Sequence, residues 1–285
     1  MKIVPSITTV NRFIKDAGLA KSKTKATDHA FYPAPKFSSP FVLHSMDWMA
    51  RYIRGKDKLF IFHTVEHFSH AIDQTIFTNK QTSSVIFHAL ESWSSLGLPD
   101  FLLLDNDSAF NAVGKKLGFA SRFIRLALYF SIELIFIPPR EPKRNSLVES
   151  INNLWAVSVF NRTQFKSAEQ LFHSTKEFLT WYENYRPPSL SGMSIREAKS
   201  KTIWGRKLTK KVIKTLPEHL PVTEGRVHFI RKVSLEGKIS ILGEEHKVSK
   251  TLRGEYVWAT IETRTRKLKY GTPQSQDKNS VKLRW

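Results

Sequence analysis

The sequence contains no cysteine and no long apolar run, and each absence excludes a class of protein. Without cysteine there is no disulfide scaffold, no cysteine nucleophile and no zinc site built on thiolates. Apolar runs such as Phe101–Leu104 have the length of a strand and fall well short of the roughly 20 residues of a membrane span. Residues 1–5 lack the apolar segment of a signal peptide. We therefore expect a cytoplasmic protein without a membrane partner.

Acidic residues are scarce relative to basic ones. The 285 residues include 45 Lys and Arg against 25 Asp and Glu, which gives a net charge of +20. The excess lies at the two ends, because residues 1–40 carry +5, residues 41–198 carry +2 and residues 199–285 carry +13. Basic tails are often only solvated surface, but clustered Lys and Arg also supply sequence-independent affinity for phosphates. A nearly neutral centre between basic ends favours nucleic acid as the partner.

The hydrophobic pattern of the centre mixes strands with helices, whereas that of the end is mostly strands. In the centre, the pattern predicts strands at 41–54, 58–66, 70–77, 101–104 and 132–137 and helices at 82–96, 119–130, 145–160 and 167–185. Before it, residues 6–17 read as a helix followed by a linker. After it, short apolar segments at 227–233, 238–242, 247–248 and 255–263 are separated by glycines, which is typical of a small β-barrel.

Three acidic residues occupy positions where a carboxylate needs a partner. Asp47 lies inside the first strand, Asp105 directly follows the apolar strand Phe101–Leu104, and Glu149 lies near the start of a helix. Burying an unpaired carboxylate costs several kcal/mol, so such residues require a cation or hydrogen-bond donors. If two strands and a helix bring them together, they form the all-oxygen ligand set that Mg²⁺ prefers.

Each acidic residue also has a structural interpretation that the sequence leaves open. Asp105 could cap the turn between a strand and a helix, and Asp47 could pair with a neighbouring arginine. Ser146 and Glu149 have the spacing of a capping box at a helix start. Asp107 is a fourth acid nearby, and periodicity does not decide whether it or Asp105 points inward. Histidines in the first strands are interpreted as packing or surface groups rather than zinc ligands; they are His44, His63, His67 and His70.

Four motifs follow one another in an order that is typical of one family. They are His44–Asp47 in the first strand, Phe68–Ala71 in the next hairpin, Leu96–Pro99 followed by Leu104–Phe110, and Pro142–Trp155 around Glu149. Asn161–Ser167 and Trp181–Pro187 continue the pattern. In this order they resemble the retroviral-integrase-like transposases of bacterial insertion sequences, over roughly residues 6–200. Asp107 and Ser146 depart from the family, which usually has glycine at both places.

The resemblance implies an α/β fold with an RNase H-like core, in which a mixed five-stranded sheet is flanked by helices. It places this core at 41–200, after a truncated helix-turn-helix remnant and linker at 1–40. It also implies a basic linker at 201–222, a small DNA-binding β-barrel at 223–271 and a basic tail at 272–285. The chain starts inside what would be the DNA-binding region of the family, so we expect its upstream half to be missing.

The resemblance further implies metal-dependent DNA cleavage and strand transfer during transposition. Asp47, Asp105 and Glu149 match the family's catalytic triad, which binds two Mg²⁺ or Mn²⁺ ions. The expected partners are double-stranded DNA, both at the element ends and in the target, and further copies of the chain on that DNA. The expected DNA contacts are the basic residues Lys143, Arg144, Arg206, Lys207, Lys210, Lys211 and Lys214.

Two other functions stay open at this point. The chain could be a non-catalytic DNA-binding remnant of a transposase, which the truncated start favours and the intact triad disfavours. It could also be an RNase H-like nuclease without strand transfer, although the basic, strand-rich end is hard to explain in such an enzyme.

Overall fold

A computed structural model describes residues 7–17, 32–35, 39–54, 57–111, 120–202, 205–271 and 279–282. The chain divides into two compact units, residues 1–31 and residues 32–285. The first unit contains helix α1 (Ile7–Asp16), on which Val10, Phe13 and Ile14 are exposed. The rest of the predicted helix-turn-helix remnant, including Gly18, lies outside the described residues, and this part of the fold stays a prediction.

The second unit alternates strands and helices in its first half and consists mainly of strands in its second half. Its helices are α2 (Thr82–Leu96), α3 (Ser108–Asn111), α4 (Arg122–Tyr129), α5 (Ser146–Ser158), α6 (Ala168–Glu183), α7 (Ile195–Ser200) and α8 (Lys210–Lys214), with short 3₁₀ turns at Pro142–Asn145, Phe160–Arg162, Pro188–Leu190 and Lys250–Leu252. Its strands are β1 (Leu43–Ile53), β2 (Asp57–Glu66), β3 (Ile72–Phe77), β4 (Phe101–Leu104), β5 (Glu133–Phe136), β6 (Arg226–Lys232), β7 (Lys238–Ile241), β8 (Glu244–Lys247), β9 (Tyr256–Glu262), β10 (Lys267–Gly271) and β11 (Asn279–Lys282).

A mixed sheet runs through the whole second unit. Its strand order is β11-β10-β9-β6-β5-β4-β1-β2-β3, and β7 and β8 form a separate two-stranded sheet. β1, β4, β5 and β6 are parallel neighbours, whereas β1–β2–β3 and β6–β9–β10–β11 are antiparallel. The predicted α/β architecture is therefore confirmed, and its five strands form one part of a larger sheet.

Apolar side chains fill both faces of this sheet. On one face Trp93 of α2 and Phe123 of α4 are fully buried. On the other face α5 and α6 pack, with Trp155 and Leu171 fully buried. The short strand β4 is apolar throughout, and Leu102, Leu103 and Leu104 are all buried, which is typical of a strand covered on both faces. Helix α2 ends at Gly97, whose φ of 90° is a conformation that favours glycine.

The separate β-barrel predicted at 223–271 is not confirmed. β6 pairs with β5 of the central sheet, with Phe229 opposite Phe136, and β9 then continues the sheet. The rings of Phe136 and Phe229 stack with their centroids 5.0 Å apart. β6 pairs there because β5 would otherwise present an unpaired edge beside the apolar core. Of the glycines that suggested a barrel, Gly237 and Gly243 instead delimit the strands of the β7–β8 hairpin, and Gly254 precedes β9.

None of the helices in the described ranges has the length and apolar character of a membrane-spanning segment.

Candidate active site

Two of the predicted carboxylates follow equivalent positions of neighbouring parallel strands. Ser45 of β1 lies opposite Leu103 of β4. Asp47 and Asp105 each come two residues later, Asp47 within β1 and Asp105 just after the last residue of β4. Parallel strands end at the same edge of a sheet, which is where ligands bind in open α/β sheets. The register therefore brings Asp47 and Asp105 to one place.

Helix α5 brings the third carboxylate to the same region. Glu149 lies in its first turn, and α5 packs against β1 and β2 through the buried side chains of Val148 and Ile151. Asn152, three residues after Glu149 and so on the same side of the helix, donates from Nδ2 to Oδ2 of Asp47 over 2.8 Å. This hydrogen bond shows that the side of α5 carrying Glu149 is turned toward Asp47.

The electrostatics of Asp47 reflect both neighbouring carboxylates. Burial, reinforced by the negative charge of Asp105 and then by that of Glu149, raises the pKa of Asp47 to about 7. The hydrogen bonds from the Trp48 backbone and from Asn152 oppose this rise. Burial also raises the pKa of Asp105. A cation would relieve this concentration of negative charge, which is the field that a metal site presents.

A lysine that the sequence did not single out neutralises the extra acid of this region. Nζ of Lys80, in the loop after β3, lies 2.9 and 3.1 Å from the two carboxylate oxygens of Asp107. The same ammonium group is 4.1 Å from the ring centroid of Trp48. Its charge also partly offsets the rise in the pKa of Asp105 that burial causes. Asp107 is thus paired with Lys80, which distinguishes it from Asp105, a candidate metal ligand.

The structural alternatives for the three acids have different outcomes. Glu149 forms no capping box, because the N-cap of α5 is Asn145 and it makes no side-chain capping bond. Asp105 does stabilise its turn, since its Oδ1 accepts the backbone N–H of Asp107 over 2.9 Å. Asp47 bonds to Asn152 rather than to an arginine.

The histidines of the first strands are packing groups, as expected. His44 and His63 are fully buried, and burial lowers their pKa values to about 3 and about 4. Burial likewise lowers the pKa of His67 to about 4, and its Nε2 lies 2.5 Å from Oγ of Ser45. These side chains are therefore neutral near pH 7. His88 of α2, which the sequence did not indicate, bridges Thr64 and Thr75 across the sheet.

The basic residues predicted to contact DNA fall into two groups. Lys143 is exposed, and so are Lys207, Lys210, Lys211 and Lys214, the last three on α8. Arg144 is engaged within the protein, because its Nε lies 3.1 Å from Oε2 of Glu141 and its guanidinium group lies 3.9 Å from the ring centroid of Tyr32.

Arg206 is also engaged within the protein. It donates to the carbonyl oxygens of Phe130 over 2.6 Å and of Pro99 over 2.8 Å. These bonds fasten the linker after the core to the end of α4 and to the loop that precedes β4. Packing thus already uses Arg144 and Arg206.

The donor set of the three acids fits a divalent ion, although the described ranges hold no group of three or more His, Cys, Asp or Glu side chains arranged to hold a metal. Asp47, Asp105 and Glu149 offer carboxylate oxygens only, which suits Mg²⁺ and Mn²⁺ rather than zinc or copper. The like charges that raise the pKa of Asp47 are the second sign of fit.

Comparisons with known proteins extend this description. Residues 131–193 match a family model described as an integrase core domain, and this segment includes β5, α5 with Glu149, and α6. The match confirms the resemblance to the integrase family over that segment. No curated protein matches the chain.

Two solved structures of viral integrases are similar to the chain. One is the HTLV-2 integrase catalytic core domain in complex with magnesium in its trimeric form, at 18% identity and a TM-score of 0.44, over 57% of this chain and 99% of that one. The other is the simian T-cell lymphotropic virus intasome in complex with PP2A regulatory subunit B56 gamma, at 16% identity and a TM-score of 0.49, over 75% of this chain and 68% of that one.

Proposed function

We propose that the protein catalyses metal-dependent DNA cleavage and strand transfer, with Asp47, Asp105 and Glu149 as its catalytic residues. The observation that carries the proposal is the arrangement of these three side chains: the register of β1 and β4 brings Asp47 and Asp105 together, and the hydrogen bond from Asn152 to Asp47 turns the side of α5 that carries Glu149 toward them. The charges of Asp105 and Glu149 both contribute to the raised pKa of Asp47. The integrase-core match over residues 131–193 includes Glu149 and supports an integrase- or transposase-type function.

In this proposal the three carboxylates bind two Mg²⁺ or Mn²⁺ ions. Such ions, when bound, activate a water or a DNA 3′-hydroxyl and offset the charge on the leaving oxygen. Asn152 keeps the carboxylate of Asp47 oriented through its 2.8 Å hydrogen bond. The backbone N–H of Asp107 holds Asp105, and Lys80 balances the charge of Asp107. Asp47 and Asp105 thus each have a neighbour that fixes the carboxylate.

The proposed substrate is double-stranded DNA, both at the element ends and in the target, bound by more than one copy of the chain. Exposed lysines on and before α8 and beside α5 would contact its phosphates; they are Lys143, Lys207, Lys210, Lys211 and Lys214. Phosphate contacts position DNA without reading its sequence. We expect the protein to be cytoplasmic and to associate with the nucleoid when it is bound to DNA.

A strand-transfer assay with the catalytic and a control variant tests the proposal. The substrate is a labelled duplex carrying a terminal repeat that flanks the gene, incubated with target DNA and Mn²⁺. Asp105→Asn should lower the rate at least about 1,000-fold, because metal-ion catalysis supplies several kcal/mol of transition-state stabilisation. Asp57→Asn removes an exposed carboxylate at the start of β2 and should leave the rate unchanged.

The outcomes separate the three functions. An Asp105→Asn rate near that of the wild type would remove the triad from catalysis. Wild-type protein that binds the duplex but transfers no strand would be a non-catalytic DNA-binding protein. Cleavage of RNA–DNA hybrids without strand transfer would identify a nuclease.

A further inference from the structure

The strongest unexplained feature outside the triad is a buried arginine on strand β6. Arg231 is 5% exposed, and its guanidinium group donates to five oxygen atoms. Four of them are backbone carbonyl oxygens: those of Ser240 at 2.9 Å, Ile137 at 3.0 Å, Ile230 at 2.9 Å and Phe136 at 3.5 Å. The fifth is Oδ1 of Asn106, which accepts from Nη2 over 2.6 Å.

Arg231 has no carboxylate partner among the described residues. Burial lowers its pKa to about 10, so it remains charged at neutral pH. A buried charge without a counterion is costly unless hydrogen bonds replace its hydration. The planar guanidinium group is suited to this because it presents five donors in a fixed arrangement, which an ammonium group cannot do. The hydrogen bonds that stabilise the buried charge of Arg231 also connect it to the segments that supply their acceptors.

Asn106, the side-chain partner of Arg231, lies between Asp105 and Asp107 in the loop that follows β4. Its Oδ1 accepts from Arg231 and its Nδ2 donates to the carbonyl oxygen of Ile137 over 2.5 Å, so both ends of the amide group are fixed. The next residue, Asp107, donates its backbone N–H to Oδ1 of Asp105. A rotation at Asn106 would therefore displace the carboxylate of Asp105.

The neighbouring strand β9 makes a second connection, to the segment that carries Glu149. Tyr256 donates from its hydroxyl group to Oε1 of Glu141 over 2.6 Å, and Arg144 binds the other oxygen of that carboxylate. Glu141 immediately precedes the 3₁₀ turn Pro142–Asn145, which leads directly into α5. Strands β6 and β9 thus contact the segments carrying two of the three triad residues.

We propose that strands β6 and β9 belong to the candidate active site and that Arg231 is a positioning residue, which holds the Asp105–Asp107 segment through Asn106. The catalytic role of the site rests on the proposed function, whereas the positioning of the Asp105–Asp107 segment does not. The C-terminal strands would then serve the site itself, in addition to any contact with DNA.

Hydrogen–deuterium exchange of the full-length chain tests the positioning directly. The backbone N–H groups of Asp107, Ala109, Phe110 and Asn111 are hydrogen-bonded within this segment and report on its opening. In Arg231→Met their protection should fall about tenfold, the factor that corresponds to losing a hydrogen bond to a charged group. Arg231→Lys should not restore it.

Two further variants separate local positioning from general stability. Asn106→Ala leaves Arg231 with its carbonyl partners and should reproduce the faster exchange of residues 107–111 even if Arg231→Met folds poorly. Arg226→Met removes an arginine from the same strand whose side chain binds Glu133, away from residues 105–107, and it should leave these amides unchanged.

Activity is measured in parallel, as the Mn²⁺ concentration for half-maximal strand transfer. Replacing a residue that supports a metal ligand typically costs about 10- to 100-fold in metal affinity or activity, so we expect a rise of that order in Arg231→Met and Asn106→Ala. Exchange of residues 107–111 that matches Arg226→Met would overturn the positioning role. Faster exchange in a protein whose wild type transfers no strand would support the positioning role and reject the proposed function.

Discussion

At the scale of single residues, the surroundings of Asp47 disfavour the ionised form of its carboxyl group. Its pKa of about 7, against an ordinary value of 3.8, means that the folded protein binds a proton which the unfolded chain releases near pH 4. Between about pH 4 and pH 7 the free energy of unfolding therefore falls as the pH rises. Above pH 7 the ionised group destabilises the metal-free fold by a constant amount.

Replacing Asp47 by asparagine should remove this pH dependence. In EDTA, the free energy of unfolding of Asp47→Asn minus that of the wild type should increase by about 2–3 kcal/mol between pH 5 and pH 8. Urea denaturation at four pH values measures it, with Asp57→Asn controlling for the loss of one negative charge. At pH 8, Mg²⁺ should raise the melting temperature of the wild type and leave that of Asp47→Asn unchanged. Equal stabilisation of both proteins by Mg²⁺ would place the ion elsewhere.

The sequence predicted the acids of the site but not the residues that hold them. Asp47 and Asp105 stand out because a carboxylate in or directly after an apolar strand needs a partner. Asn152 and Arg231 give no such signal, since they act across 105 and 125 residues of chain on Asp47 and Asn106. Their roles arise only when α5 and β6 are packed against the sheet.

At the scale of elements, one short motif occurs twice with different outcomes. Ser194 and Glu197 form a capping box at the start of α7, with both reciprocal hydrogen bonds present. Ser146 and Glu149 have the same spacing, but Ser146 is already helical because the preceding 3₁₀ turn runs into α5. Glu149 is thereby released from capping, and the difference arises from the segment before the motif rather than from the motif.

Most element positions follow from the pattern of apolar residues. α2 and β4 have the predicted bounds, Thr82–Leu96 and Phe101–Leu104, because glycine, proline or polar residues flank a clear apolar pattern. β10 was missed although Leu268 and Tyr270 alternate with lysines, since charged residues masked a strand that is buried on one face. The pairing of β6 with β5 could not be predicted either, because periodicity carries no information about strand partners.

The start of α5 offers a matched pair of neighbouring basic residues. Arg144→Met removes the bond to Glu141 and the contacts with the rings of Tyr32 and Tyr256, at 3.9 and 5.6 Å. It should therefore lower the free energy of unfolding by about 1–3 kcal/mol. Lys143→Met changes an exposed residue and should leave stability within about 0.5 kcal/mol.

The same two substitutions should affect DNA binding in the opposite way, with Lys143→Met having the larger effect. Lys143→Met should reduce the slope of log affinity against log salt concentration by about one, because one phosphate contact is lost. Arg144→Met should leave that slope unchanged. Urea denaturation and salt-dependent DNA titration measure the two effects, and a normal stability of Arg144→Met with a reduced slope would return Arg144 to the DNA interface.

At the scale of the whole molecule, the point in the sequence where the basic region begins is not the point where the central sheet ends. Basic charge concentrates after residue 198, yet the apolar residues of β6 and β9 belong to the same core as those of β4 and β5. Composition therefore suggested a separate basic domain, whereas the packing makes these strands part of the central sheet. Lys210 and Lys214 of α8 are exposed, whereas Arg231 of β6 is buried beside the core, so the basic residues of this region do not form one separate surface.

This packing predicts that the core does not fold without its C-terminal strands. A fragment of residues 32–200 loses buried side chains that include Val227, Phe229, Val257 and Ile261, and it leaves the edge of β5 unpaired. Each large buried side chain contributes about 2–5 kcal/mol, while a domain is stable by only about 5–15 kcal/mol. We therefore expect the fragment to lack a cooperative thermal transition and to bind a hydrophobic dye. Residues 32–285, the matched control, should unfold cooperatively by calorimetry. A cooperative transition of the shorter fragment would instead establish an independent catalytic core ending near residue 200, with a separable C-terminal domain after it.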